Sequence, residues 1–159
     1  MTTAPEVLHV RLRRDGDGWP PFDYEEVPAE RLTRDRYRLS SVPAFARRLA
    51  FGDIVRVEFY GEPAVAWIEE VLEPSGNSTV RVIVRRGAAD STVISAIRDL
   101  GVAAVPTPLD GLFAVNIPRD LDYARIRKRL LEYEASGEID FEEGALSPHH
   151  DYGTLTPDL

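Results

Sequence analysis

The sequence predicts a two-part α+β protein. Three observations predict it: short runs with alternating apolar and polar residues through the first half, a second half where that period of two gives way twice to a helical period, and a polar break, Pro74-Ser75-Gly76-Asn77-Ser78-Thr79, between them.

In the first half "VLHVRLR", "FDYEEVPAERL", "RYRLSSV", "DIVRVEFY" and "AVAWIEEVL" read as strands. "RDGDGWPP", "TRD" and "GEP" separate them as turns, and "PAFARRLAFG" reads as a short helical turn. Five short strands with regular turn signals predict a small, strongly bent barrel of the SH3-like kind over residues 1–74, with an open sheet as the other arrangement.

The second half begins with a strand over 79–86, where Val80, Val82 and Val84 alternate with Arg81, Ile83 and Arg85. Asp90 or Ser91 is placed to cap a helix whose apolar face is Val93, Ile94, Ile97 and Leu100, and Gly101 to end it. "VAAV" and "LFAVNI" flank "PTPLDG" and read as a hairpin; Asp120 or Asp122 then caps a helix carrying Tyr123, Ile126, Leu130 and Tyr133. Gly137 closes that helix before "EIDFEEG", the last strand. The order βαββαβ predicts a ferredoxin-like plait over 79–144, with 145–159 as a C-terminal tail. In that plait the fourth strand lies beside the first. Glu138, Asp140 and Glu142 should therefore pair with Arg81 and Arg85 on the face away from the helices. Ile83, flanked by those arginines, needs cover, which predicts that the two halves pack on each other.

Composition narrows the function classes. A chain of 159 residues with 43% hydrophobic and 29% charged residues has the makings of a folded core. No apolar stretch has the length of a membrane span and "MTTAPEVLHV" lacks the pattern of a signal peptide, so a cytoplasmic protein with no membrane partner is expected. The absence of Cys excludes thiolate metal sites, disulfides and Cys nucleophiles. A net charge of −8 disfavours nucleic acid and favours a basic partner.

"GWPPFDYEEVPAERL", "RYRLSSVPAFARRLAFGDIVRVE", "EPSGNSTVRVIV" and the closing "IDFEEG" resemble a bacterial family known as domain of unknown function 4265, from about Val7 to Gly144. The spacings "PxFARxLAxGD" and "EPSGxSTVRV" carry the likeness. The resemblance implies a bacterial protein and transfers no catalytic residue. Many relatives have His where this chain has Asn77, which implies a structural loop here.

Each candidate site has a plainer reading beside it. Ser75, Ser78 and Thr79 lack a neighbouring base in sequence, since the His residues are His9, His149 and His150, and the loop lacks the Lys and following helix of a phosphate cradle. His149, His150 and Asp151 are able to hold zinc, but adjacent side chains rarely converge on one ion, and no metal or other cofactor is expected. "DGLFAVNI" sits where an RNA-recognition motif carries its stacking rings, yet Leu112 and Ala114 occupy the outward positions and Phe113 the inward one. Arg125, Arg127, Lys128 and Arg129 read as a solvated helix face. Trp19, Phe22 and Tyr24, among prolines and acids, are the candidate partner-binding residues, the alternative being a plug at one end of the barrel.

With no catalytic residue assigned, the expected function is a noncatalytic binding or regulatory protein. It would act on another protein, as an acidic immunity or inhibitor-like protein does, or on a copy of itself. The alternatives are a small acid-base enzyme built on carboxylates and a weak nucleic-acid-binding module.

Overall fold

The structure, a computed structural model, describes residues 6–85 and 90–150. It is a mixed α+β protein whose strands are nearly all paired antiparallel, and it divides into two compact units, Met1–Ser75 and Gly76–Leu159.

The first unit holds β1 (Glu6–Arg11), β2 (Tyr24–Arg31), β3 (Arg36–Leu39), β4 (Ile54–Tyr60) and β5 (Val65–Glu73). Each strand pairs antiparallel with the next, and a parallel contact of His9 with Trp67 brings β1 beside β5 and closes a five-stranded barrel. Alternation decides what goes inside: Leu8, Val27, Ala29, Tyr37, Leu39, Val55 and Val57 fill the interior. Their strand neighbours His9, Glu26, Arg38 and Arg56 therefore face outward.

"PAFARRLAFG" forms bends and turns without a helix, contrary to the sequence expectation. The reason is local. The Glu25 carboxylate accepts the backbone N–H groups of Ala44, Phe45 and Ala46, donors that have no intrahelical acceptor at the start of a helix, so the loop opens with its first N–H groups satisfied from β2. Arg48 then takes a left-handed φ of 65°, which breaks any helical run. At the far end of the loop, buried Asp53 accepts from Ala50 N at 3.0 Å and Ser75 N at 2.8 Å, and Ser75 Oγ donates to the Phe51 carbonyl at 2.7 Å.

The second unit holds β6 (Ser78–Val84), α1 (Asp90–Arg98), β7 (Ala103–Pro106), β8 (Leu112–Ile117), α2 (Tyr123–Ala135) and β9 (Ile139–Ala145). Its four strands lie in the order β7-β8-β6-β9. Val80, Val82 and Val84 share one face with Val115, Ile117 and Ile139, and on that face pack Val93, Ile94 and Ile97 of α1 and Tyr123, Ile126 and Leu130 of α2. Of the two candidate caps for α2, Asp122 takes the role and accepts from Ala124 N at 3.1 Å. Gly101 and Gly137 follow the helices at φ 97° and 83°, values that favour Gly. Arg86 and the side chains of Asp90 and Ser91 lie outside the described residues.

The chain from Ala145 to His150 is better held than a tail: β9 runs through Ala145, Pro148–His150 is a short 3-10 turn, and Ser147 and His150 are buried.

Candidate functional site

Ser75, Asn77 and Ser78 of the polar stretch are each held within their own unit. Ser75 is tied to Asp53 and Phe51 as described, and Asn77 Oδ1 accepts the Arg119 N–H at 3.0 Å. Ser78, wholly buried, lies with its Oγ 2.6 Å from His150 Nδ1 and accepts the Ser147 N–H at 2.8 Å. The other ring nitrogen, His150 Nε2, lies 2.9 Å from the Pro118 carbonyl. A carbonyl only accepts, so Nε2 carries the proton, Nδ1 accepts, and the Ser78 hydroxyl donates to it.

Sequence reasoning held that no base lies near these serines; the fold brings His150 across 72 positions to Ser78. The pair has the donor and acceptor of a nucleophile and its base, but both residues are buried and both ring nitrogens are committed. The arrangement is a clasp that pins the turn after β9 to the start of β6. No sequence pattern marks it, because the partners are adjacent only once β9 lies beside β6.

The three aromatic candidates divide between two places. Trp19 and Phe22, half-buried, pack on the ring of buried Phe45 with centroids 6.2 and 5.1 Å away. Asp15 fixes the bend that presents Trp19: its carboxylate accepts the N–H of Trp19 at 3.0 Å and of Asp17 at 2.8 Å. Those bonds, Trp19 first, hold the Asp15 pKa below its ordinary value.

Tyr24 belongs to another cluster. Its ring is stacked on His9 at 5.0 Å and stands edge-on to Trp67 at 6.0 Å, and it remains 46% exposed. His9 in turn meets Trp67 at 5.2 Å, and the Arg11 guanidinium sits 4.5 Å from the Trp67 ring centre. Glu26 completes the rim, 4.0 Å from His9 Nε2, while the buried Nδ1 of His9 has no hydrogen-bond partner among the described residues. The interior of the barrel is filled by other residues, so these rings are on its outer surface. Sequence reasoning missed His9, Trp67 and Arg11. The outward parity of His9 and Arg11 was readable from Leu8, but their nearness to Trp67 depends on barrel closure.

The acidic strand behaves largely as its parity required. Asp140 pairs with Arg85, and Glu142 Oε1 accepts from Arg81 Nε at 2.7 Å. Glu138 instead accepts from Ser136 Oγ at 2.7 Å. The Arg85 contact lowers the Asp140 pKa, chiefly through its hydrogen bonds. Arg81, however, is only 2% exposed, with Nη1 unpartnered among the described residues, so its pair with Glu142 is not the weak surface bridge that alternation alone suggested. Glu143, opposite Val80 and of the same parity as Ile139 and Phe141, faces α2, where it accepts from the hydroxyl of Tyr123 at 2.5 Å and from Arg127 Nε at 3.2 Å.

The remaining candidates dissolve into structure. Phe113 packs against the helix-side core, leaving Leu112 and Ala114 where stacking rings would stand. Arg129 pairs with Glu132 and donates to the Tyr133 hydroxyl. His149 is exposed while His150 is engaged; Asp151 lies outside the described residues. Among the described residues no group of three His, Asp or Glu side chains converges as a metal set, and no helix is long and apolar enough to cross a membrane.

A crystal structure described as a hypothetical protein from Neisseria gonorrhoeae is similar in fold, with a TM-score of 0.76 at 19% identity, covering 92% of this chain and 99% of that one. No curated protein matches the chain. Residues 25–141 match the family described as Domain of unknown function (DUF4265). That span takes in the loop clamped by Glu25 and Asp53, the junction and most of the four-stranded sheet, and the chain belongs to the DUF4265 family.

Proposed function

We propose that this chain is a noncatalytic, cytoplasmic protein-binding module that engages another protein through the outer face of its barrel, around Tyr24. The observation that carries the reading is exposed Tyr24 stacked with half-buried His9 and Trp67, edged by Arg11 and Glu26. These rings serve no interior, and Tyr, Trp and Arg are the residue types from which interface hot spots are made. Trp19 and Phe22 add a secondary contact beside Phe45. The net charge of −8 supports a basic partner, as for an acidic immunity or inhibitor-like protein.

The architecture we assign is an SH3-like barrel followed by a ferredoxin-like plait. The sheet order β7-β8-β6-β9 supports the second part, being second, third, first and fourth strand of a βαββαβ unit. Closure of five short strands supports the first.

The test is affinity capture from the source organism with the wild-type chain, Tyr24→Ala, and Leu131→Ser as an exposed control on α2. A protein held by wild type and control and lost from Tyr24→Ala is the expected result. Equal recovery by all three would remove the site.

A further inference from the structure

We propose that the outer face of the barrel, from Tyr24 across to Tyr60, docks a proline-rich segment of a partner protein that carries arginine or lysine and lies in the extended polyproline II form. The proposal rests on the reading of the Tyr24 face as a protein-binding surface and names the chemistry of what that face takes.

The strand register gives the extent of the face. His9 lies beside Trp67 on parallel strands, so Val7 and Val65, two residues earlier on each, are neighbours as well. Val7 is opposite Pro28 on β2, and Val65 is opposite Tyr60 on β4. All four have the parity opposite to the interior residues of their strands, so they form an outward apolar row across β2, β1, β5 and β4. Val7 is 46% exposed and Tyr60 50%. A second row, Glu26, His9, Trp67 and Glu58, runs beside the first, and Tyr24 stacks onto it at His9.

Dimensions select an extended occupant. Four adjacent strands about 4.8 Å apart make the rows about 14 Å long, and residues on one face of a strand set the rows about 7 Å apart. A single extended chain bridges that spacing, whereas an α-helix, about 10–12 Å across, overhangs it. An added β-strand needs backbone partners, and the closed barrel has no free edge to supply them. Polyproline II needs none: its prolines order it in advance, and at about 3.1 Å per residue about five residues span the rows. Tyr24 stands edge-on to Trp67, which leaves ring flanks for pyrrolidine rings to pack against.

Charge selects a basic segment. Glu26 and Glu58, both exposed, close the two ends of the ring row. Glu58 shares Arg56 with Glu70, at 2.8 and 2.7 Å, and Arg11 lies on Trp67. Three carboxylates thus stand against two guanidinium groups around the rings, in a chain whose net charge is −8. Arginine or lysine at the ends of the segment complements that excess.

The experiment titrates the full chain with a fluorescein-labelled decaproline bearing an arginine at each end, read by anisotropy. One comparison peptide keeps the arginines on a glycine–serine chain, and the other keeps the prolines with glutamate at each end. Saturable binding of the first peptide is expected, about tenfold tighter than either comparison and weakened about tenfold by Tyr24→Ala, Tyr60→Ala and Glu26→Gln. Leu131→Ser should bind as wild type does. Glu26→Gln changes an exposed side chain by charge alone, so it reads recognition with the Tm held. Absence of saturable binding, equal binding of the glycine–serine peptide, or wild-type affinity in Tyr60→Ala or Glu26→Gln would each overturn the proposal. The two readings fail separately. A protein captured from the source organism through Tyr24 and not displaced by the arginine-bearing decaproline overturns this proposal alone, whereas equal capture by wild type and Tyr24→Ala removes the face itself.

Discussion

Ser78 shares one hydroxyl between two buried partners, and its replacement by Ala leaves both the Ser147 N–H and His150 Nδ1 unsatisfied. We expect Ser78→Ala to lose about 1–3 kcal/mol of stability in urea denaturation, as stranded buried polar groups cost. A serine kept for catalysis would show unchanged or higher stability on removal, and that outcome would reopen the nucleophile reading. Asp140 makes a second prediction at this scale. Arg85 lowers its folded pKa below the ordinary 3.8, so its stabilising contribution is complete above the unfolded value and is lost as pH falls through the folded one. Asp140→Asn should therefore destabilise the protein at neutral pH by a small amount, both partners being exposed, and should flatten the stability loss below about pH 4. An acid limb identical to wild type would deny the pairing. These residues differ in how legible they were. Asp140 and Arg85 followed from period two and strand order, whereas Ser78 and His150 meet only after β9 has returned beside β6, a contact no local signal announces.

Elements were read well where the local pattern and the buried face agree. Among the described residues, nine strands and two α-helices appear near their expected positions, and the parity of β6, β8 and β9 placed Phe113 and the acids on the correct sides. The loop from Pro43 to Asp53 differs from its expected helical turn because Arg48 takes a left-handed φ of 65°, and Glu25 and Asp53 hold the backbone on either side of it; propensity does not see those distant carboxylates. The bulge in β9 was also invisible, yet it has a cause in the sequence. A Cβ on Gly144 would lie 2.5 Å from Arg81 Nη1, so only Gly admits the buried guanidinium at that position. Gly144→Ala should displace the Arg81 guanidinium from half-exposed Glu142 and cost about 1–3 kcal/mol, as inserting a group into a packed site does. Thermal or urea unfolding would check it, and a loss below about 1 kcal/mol would mean that Arg81 has another place to go.

At the scale of the molecule, the closed barrel has no free sheet edge, so what unit one offers a partner is side chains, with Tyr24 the most exposed ring of its stack. The sequence pointed to Tyr24 together with Trp19 and Phe22 because all three share one Pro- and Gly-rich stretch. Barrel closure separates them and recruits His9 and Trp67 from strands far apart in sequence. Membership of DUF4265 places the chain in a family, and the Neisseria gonorrhoeae structure shares its fold. The measurement that tests protein binding most directly is photo-crosslinking from a benzophenone side chain placed at position 24, in cells of the source organism, with the same probe at position 131 as reference. The account predicts a discrete adduct with another protein from position 24 that is absent from position 131. No adduct from position 24, or the same adducts from both positions, would contradict it.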